Sequence, residues 1–157
     1  DIVWAGVALG LAAGLEVPSL LAMGKLTGRF SHLLLIASGC LAGIGYYAGL
    51  ALVADPWWLL GLQVLNAWFF AAVAGVGLPL FQDLIPRPGL ATGLYMNTRR
   101  LGAIVSGPII AIGALTALGD RGIFVACAGL TLVALVVVGA AARSGRSRMG
   151  ARLDADR

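Results

Sequence analysis

The chain has 157 residues, of which 60% are hydrophobic and only 11% are charged. An average soluble domain is roughly 45–50% apolar, so this composition excludes an ordinary soluble fold and indicates an integral membrane protein. The long apolar runs are rich in Leu, Ala and Gly and show no two-residue alternation, which predicts helices rather than barrel strands. The expected fold class is therefore all-α, a polytopic membrane helix bundle. The net charge of +4 lies in loops and in the tail, so we expect no nucleic-acid partner.

Five apolar segments are long enough to cross a hydrocarbon core about 30 Å thick, which takes about 20 residues. They cover approximately residues 2–23, 32–53, 57–84, 89–118 and 123–142. The third segment is longer than an upright helix needs, so we expect it to tilt, or to bend near Gly75, Gly77 and Pro79. The basic segment 143–157 is predicted to be a disordered tail. No charged segment precedes the first apolar run, so no signal peptide is predicted and the chain is expected to be part of a longer protein.

The basic residues indicate how the chain is oriented in the membrane. Five spans place the two chain ends on opposite sides, and ten of the eleven Lys and Arg residues then fall on one side, with Arg121 alone on the other. Basic residues are enriched on the cytoplasmic side of membrane proteins. We therefore predict a cytoplasmic C-terminus and an external N-terminus. The ten residues are Lys25, Arg29, Arg87, Arg99, Arg100, Arg143, Arg146, Arg148, Arg152 and Arg157.

Cofactor chemistry is not indicated. Cys40 and Cys127 lie inside apolar runs, where cysteine is a small buried hydrophobic residue. His32 is the only histidine, and no stretch rich in Cys or His lies near it. We expect no metal site, no disulfide and no cofactor. The chain has no GxxxxGK[ST] phosphate loop, which argues against a nucleotide-driven step.

Three stretches carry a resemblance to a known family. They are GLAAGLEVPSLLAMG at 10–24, LLGLQVLNAWFF at 59–70 and FQDLIPRPGLATGLYMNTRRLG at 81–102. The chain resembles the major facilitator superfamily, and within it the bacterial sugar efflux transporter family. The resemblance implies that the five spans correspond to helices eight to twelve of a twelve-helix protein, whose first six-helix bundle and seventh helix are absent from this chain. It also implies a transporter in the bacterial plasma (inner) membrane, acting on a small sugar or glycoside by proton antiport with alternating access.

Glu16 lies near the middle of the first span. A carboxyl group at lipid depth is costly and by default marks a functional site. Because removal from water favours the neutral form of a carboxyl group, Glu16 is a candidate proton carrier. The alternative is a structural carboxyl group that is permanently paired with a neighbouring helix.

Gln63 and Asn66 are three residues apart and so share one face of the third span. Extended at helical spacing, this face also includes Phe70, Val73 and Gly77. Amides donate and accept hydrogen bonds, and an aromatic ring can stack on the C–H face of a sugar, so these residues are candidates for substrate contact. The alternative is hydrogen bonding between helices. Tyr46 and Tyr47 also lie mid-span, where core packing is the default expectation.

Asn97 and Arg100 are three residues apart on the fourth span, and Arg99 points roughly 100° away from Arg100. The resemblance matches Asn97 and Arg100, followed by Gly102, so we expect Arg100 to face inward and Arg99 to reach the cytoplasmic interface. Arg100 would then serve as a gate or a substrate contact. The alternative is that both arginines only anchor the helix end.

The expected cytoplasmic gate has two parts. The loop GKLTGR at 24–29 resembles a shortened basic signature of the superfamily and contributes Lys25 and Arg29. Gln82 and Asp83 close the third span, and Asp83 is expected either to pair with Arg87 or Arg100 or to be an ordinary solvated helix end. The gate would open as such a pair breaks.

Two alternatives to transport remain open. The chain could be a membrane helical scaffold, or the remnant of a truncated transporter, that transports nothing. An intramembrane enzyme using Glu16 is not favoured, because no His, second acid or activated Ser joins Glu16 in a catalytic arrangement. We therefore expect that the protein is not an enzyme.

Overall fold

The computed structural model describes residues 2–52, 55–115 and 119–155, and it is helical almost throughout this part. The described residues contain no strand, which confirms the predicted all-α class. The helices, numbered in chain order, are α1 (Ile2–Thr27), α2 (His32–Leu52), α3 (Pro56–Ala71), α4 (Gly77–Leu84), α5 (Pro88–Ala114) and α6 (Asp120–Ala155).

Four helical stretches of the described residues have the length and hydropathy needed to cross a membrane. They are Gly6–Thr27, His32–Leu52, Trp57–Leu84 and Arg121–Ser144. Helix α5 has 27 residues but is not among them, and its N-terminal half carries Asn97, Arg99 and Arg100. A fifth span therefore stays a prediction.

Helix α6 continues beyond the apolar segment as far as Ala155. The sequence predicted disorder over 143–157, whereas the described part of this segment has helical backbone. An existing helix extends without a new nucleation step, which accounts for helical backbone even in polar sequence.

A π-helical turn, Ala72–Val76, separates α3 from α4. It lies in the region where Gly75, Gly77 and Pro79 predicted bending. Pro79 has no backbone amide to bond the carbonyl of Gly75, which weakens the regular α-helical hydrogen-bond pattern. A single π turn is a common cause of a helix kink and is frequently found at functional sites. The third predicted span is thus a 16-residue helix and an eight-residue helix with a weak point between them.

Helix α2 occupies the middle of the bundle and packs against α3 on one side and α6 on the other. Small residues bring α2 and α3 close together: a side chain at Gly39 would collide with Ala72, and one at Gly43 would lie 2.9 Å from the ring of Phe69. In membranes, helices associate through such close packing, because lipid supplies no hydrophobic drive between them.

The core lies towards the end of the bundle where α1 ends and α2 begins. Met23, Leu35, Ala71, Ala72 and Val76 form one buried cluster there. Helix α1 packs against α3, and α5 packs against α4 and α6. At Gly10 and Gly14, no atom of another described helix lies within 4 Å of an added Cβ.

Candidate functional site

An amide pair lies inside the membrane-spanning part of α3. The Gln63 side chain is 6% exposed, and its Nε2 donates to the backbone oxygen of Leu59 at 3.3 Å. Nδ2 of Asn66 donates to Oε1 of Gln63, also at 3.3 Å. Both hydrogen bonds of Gln63 are made within α3, and one of them orients Asn66.

Asn66 has spare hydrogen-bonding capacity, because its Oδ1 forms no hydrogen bond with the described residues. The side chain is half-buried. On the same face, Phe70 is 38% exposed and Val73 is 40% exposed, and residues three or four apart on a helix lie about 5–6 Å apart. This open face of α3, formed by Asn66 and Phe70 and continued by Val73 of the turn Ala72–Val76, can offer a ligand an amide and an aromatic ring together.

Glu16 lies half-buried on α1, the helix that packs beside α3. The contact of Leu20 with Gly75 sets the register of the two helices, and Glu16 lies one turn before Leu20, near the level of Ala71. Glu16 forms no hydrogen bond or ion pair with any residue in the described ranges. It is therefore next to α3 but is not bonded to Gln63 or Asn66.

Asn97 and Arg100 lie on an exposed part of α5. Helix α5 makes no contact with α1 or α3 within the described residues, so the structure does not bring Asn97 and Arg100 together with Glu16 or the amide pair. These polar residues lie in three separate places on the described bundle.

Both Arg99 and Arg100 are exposed, and Arg99 lines a recess between helices of the described bundle. The buried Tyr95 fixes the inner face of α5, because its hydroxyl donates to the backbone oxygen of Val73 at 3.1 Å. Arg99 follows Tyr95 by four residues and shares this face. The sequence assigned Arg99 to the interface and Arg100 to the inward face, and the role of Arg100 stays a prediction. The contacts of Tyr95, which set the rotation of α5, were not available from the sequence.

A cavity of about 320 Å³ lies between α2, the π-helical turn, α4 and α5. We call it the Arg99 cavity. Its walls are almost wholly apolar and are formed by Ile36, Val73, Leu80 and Phe81, together with parts of Tyr95, Thr98 and Arg99. Both hydroxyl groups donate to backbone oxygens, Tyr95 to Val73 and Thr98 to Leu94. Arg99 is thus the charged side chain of the cavity.

At the end of the bundle that carries the basic loops, Asp83 pairs with His32. Nδ1 of His32 lies 2.6 Å from Oδ2 of Asp83. The expected partners, Arg87 and Arg100, are not the ones observed, because the start of α2 lies beside the end of α4. From the sequence, His32 was considered only as a metal ligand. Its position at the first turn of a span, on the same membrane side as Asp83, could have indicated that the two side chains pair.

The other residues of the expected gate are exposed. Gln82 lies beside Asp83 on the surface, and Lys25 and Arg29 line an open recess together with Leu26. The residues described contain no group of three His, Cys, Asp or Glu side chains able to hold a metal ion. Cys40 and Cys127 are free thiols.

Membrane-length helices packed through small residues, with amides held inside, define a multi-pass membrane protein of the α-helical class. The chain belongs to the MFS_1-like family, whose family model matches residues 2–119. The resemblance to the sugar efflux transporters of the major facilitator superfamily is confirmed.

Several curated bacterial proteins are similar to this chain. It is 48% identical over 109 residues to sugar efflux transporter A of Dickeya chrysanthemi, which covers 69% of this chain and 28% of the relative. It is 44% identical over 111 residues to sugar efflux transporter B of Salmonella typhimurium, covering 70% and 28%. It is 40% identical over 105 residues to sugar efflux transporter C of Escherichia coli K12, covering 66% and 27%. The aligned part thus spans little more than a quarter of each relative. No solved structure matches the chain.

Proposed function

We propose that the chain is part of a secondary active transporter that exports a small sugar or glycoside, and that it is not an enzyme. Three of its relatives carry the name sugar efflux transporter, and the chain has the helical membrane architecture that such a protein needs. The proposed assembly includes a further bundle of six helices and a seventh helix. It lies in the bacterial inner membrane with the C-terminus of this chain in the cytoplasm and the N-terminus outside.

The observation that carries the proposal is the open face of α3. Asn66 is fixed by Gln63 at 3.3 Å and leaves Oδ1 available, and Phe70 is exposed one turn away. Sugar hydroxyls need partners that both accept and donate hydrogen bonds, and an amide does both. A few placed polar groups beside apolar and aromatic surface are typical of small-molecule sites.

The weak point between α3 and α4 supports alternating access. Asn66 and Phe70 lie in α3, which precedes the π-helical turn in the chain, and α4 follows this turn. Movement of α4 about this turn would change access to the face of α3 from the side of the basic loops. The residues whose backbone angles change in such a hinge movement commonly lie at the ends of helices.

Glu16 is the proposed proton carrier of the antiport. It is a half-buried carboxyl group on the helix that packs against α3, and it forms no ion pair with the described residues. An ionisable group at this depth commonly marks a proton or substrate pathway. Gain and loss of a proton at Glu16, beside the substrate face, would couple proton movement to sugar movement.

The test is sugar counterflow in proteoliposomes that contain the full-length product of the gene, across a panel of radiolabelled mono- and disaccharides. We expect Asn66→Ala and Phe70→Ala each to raise KM for the transported sugar roughly tenfold, because lost substrate contacts of this kind cost about 1–3 kcal/mol.

Val64→Ala is the matched control, since Val64 is on the same helix and 57% exposed on a different face. This variant should transport with an unchanged KM. A KM for Asn66→Ala and Phe70→Ala equal to that of the unmodified protein would overturn the assignment of this face. Failure to transport any sugar would overturn the substrate class.

A further inference from the structure

The hydrogen bonds of Gln63 run in one direction along α3. A backbone carbonyl oxygen only accepts hydrogen bonds, so the Gln63 amide presents Nε2 to the oxygen of Leu59, at 3.3 Å. Its Oε1 then accepts from Nδ2 of Asn66, also at 3.3 Å. If the Gln63 amide were reversed, its oxygen would face the oxygen of Leu59 and its nitrogen would face the nitrogen of Asn66. The backbone of Leu59 therefore fixes the orientation of both amides.

Oδ1 of Asn66 is the end of this chain of hydrogen bonds. Nδ2 is bonded to Gln63, so Oδ1 is the atom of the Asn66 amide that has no hydrogen bond to the described residues. Within the described ranges, every buried side-chain oxygen and nitrogen has a hydrogen-bond partner. Oδ1, on a half-buried residue, is therefore accessible from outside the bundle. The open face of α3 thus presents a hydrogen-bond acceptor.

This acceptor needs a donor, because Asn66 lies inside the span Trp57–Leu84 and an unpaired carbonyl oxygen is costly away from water. Lipid chains have no donor, whereas water and sugar hydroxyl groups do. A ligand that displaces water from Oδ1 must supply an O–H group of its own, or a hydrogen bond is lost. The orientation of Asn66 therefore selects ligands that donate at this point.

We propose that the transported sugar donates the hydrogen of one hydroxyl group to Oδ1 of Asn66, and that Gln63 is the positioning residue that keeps Oδ1 available. Gln63 is only 6% exposed and its two polar atoms are bonded within α3, so it acts through Asn66 and does not contact the sugar. Without Gln63, the Asn66 amide is free to turn over and present Nδ2 to the sugar in place of Oδ1. This inference rests on the proposed assignment of the sugar to the open face of α3.

The experiment is competition in the counterflow assay with the full-length gene product. The substrate is the sugar with the lowest KM in the panel, and the competitors are its deoxy and deoxyfluoro analogues, one hydroxyl position at a time. A deoxy position neither donates nor accepts, whereas fluorine accepts weakly and cannot donate. We expect at least one position at which both analogues compete roughly tenfold more weakly than the unaltered sugar, which corresponds to the loss of about one hydrogen bond. In Asn66→Ala, both analogues should compete at this position as well as the unaltered sugar.

Gln63→Met tests the positioning role, because methionine has a similar length and forms neither hydrogen bond. KM for the unaltered sugar should rise roughly threefold to tenfold with Vmax unchanged, and the tenfold penalty of the fluoro analogue should fall to about threefold or less, since the turned amide donates to fluorine. Trp68→Phe is the matched control. It removes the hydrogen bond from Nε1 of Trp68 to Oγ of Ser38, between α3 and α2, and should keep the full penalty. Loss of stability alone would not change the ratio between two competitors.

Fluoro analogues that compete like the unaltered sugar at every position of the unmodified protein would overturn the proposal, since no hydroxyl group would then act as a donor. This comparison needs no variant and holds even if Gln63→Met does not fold. A penalty that persists in Asn66→Ala, or in a folded Gln63→Met variant, would also overturn it. Failure of the proposed function is a different result: either no sugar is transported, or Asn66→Ala leaves KM unchanged.

Discussion

His32 and Asp83 join the start of α2 to the end of α4 through a 2.6 Å contact between Nδ1 and Oδ2. A charge on either residue destabilises its own helix. His32 lies at the N-terminus of α2, which disfavours a cation, and Asp83 lies at the C-terminus of α4, which disfavours an anion. The pairing offsets both effects. The pair also fixes the C-terminal end of the eight-residue helix α4, whose N-terminal end joins the π-helical turn.

We predict that this pair stabilises α4 in the position that the structure shows. In a double-mutant cycle of His32→Ala and Asp83→Ala, the two residues should couple by about 0.5–1 kcal/mol in the free energy of unfolding, as partly exposed ion pairs do. Asp83 is 61% exposed, which keeps the expected value low. Arg87→Ala should show no coupling to Asp83→Ala. If Asp83 couples to Arg87 and not to His32, the contact between His32 and Asp83 does not stabilise α4.

The contact between Gly77 and Tyr95 gives a second prediction. A Cβ at Gly77 would lie 2.8 Å from Cε2 of Tyr95, whose hydroxyl is bonded to Val73. Gly77→Ala should therefore lower the free energy of unfolding by about 1–3 kcal/mol, the usual cost of overpacking.

Gly61→Ala is the matched control for Gly77→Ala. A Cβ at Gly61 meets no described atom within 4 Å. Its helical backbone should make the alanine neutral or stabilising, by up to about 1 kcal/mol. Equal effects of the two substitutions would show that α4 and α5 are not closely packed at Gly77.

A third prediction concerns Glu16. In proteoliposomes with a pH gradient, Glu16→Gln should exchange sugar for sugar at a normal rate but should no longer concentrate sugar in response to the gradient, because glutamine cannot carry a proton. Glu16→Asp keeps the ionisable group and should retain part of the gradient-driven transport. Gradient-driven transport by Glu16→Gln at the rate of the unmodified protein would remove Glu16 from the coupling step.

The class of fold could be predicted from the sequence, because apolar runs of membrane length leave the backbone no alternative to helices. A bend in the third span could also be predicted from Gly75, Gly77 and Pro79, because proline removes a backbone amide donor and glycine weakens a helix. These are local effects, and local sequence is enough to reveal them.

The neighbours of each helix could not be predicted. The spans are apolar on nearly every side, so periodicity does not show which face meets which helix. Arg99 and Arg100 are adjacent in sequence, and only the packing of Tyr95 against α4 decides which of them faces the bundle. The pairing of His32 with Asp83 could not be predicted either, because the two residues are 51 positions apart in the sequence.

Chemical protection can show whether Asn66 faces a sugar pathway. Cys40, Cys127 and every other cysteine of the full-length gene product are first replaced by alanine, and Asn66→Cys or Val64→Cys is then added. We expect a small maleimide to modify the Asn66→Cys variant and a transported sugar to slow this reaction, while the reaction of the Val64→Cys variant stays unchanged. A maleimide reaction at position 66 that no transported sugar slows would mean that Asn66 does not face the sugar pathway.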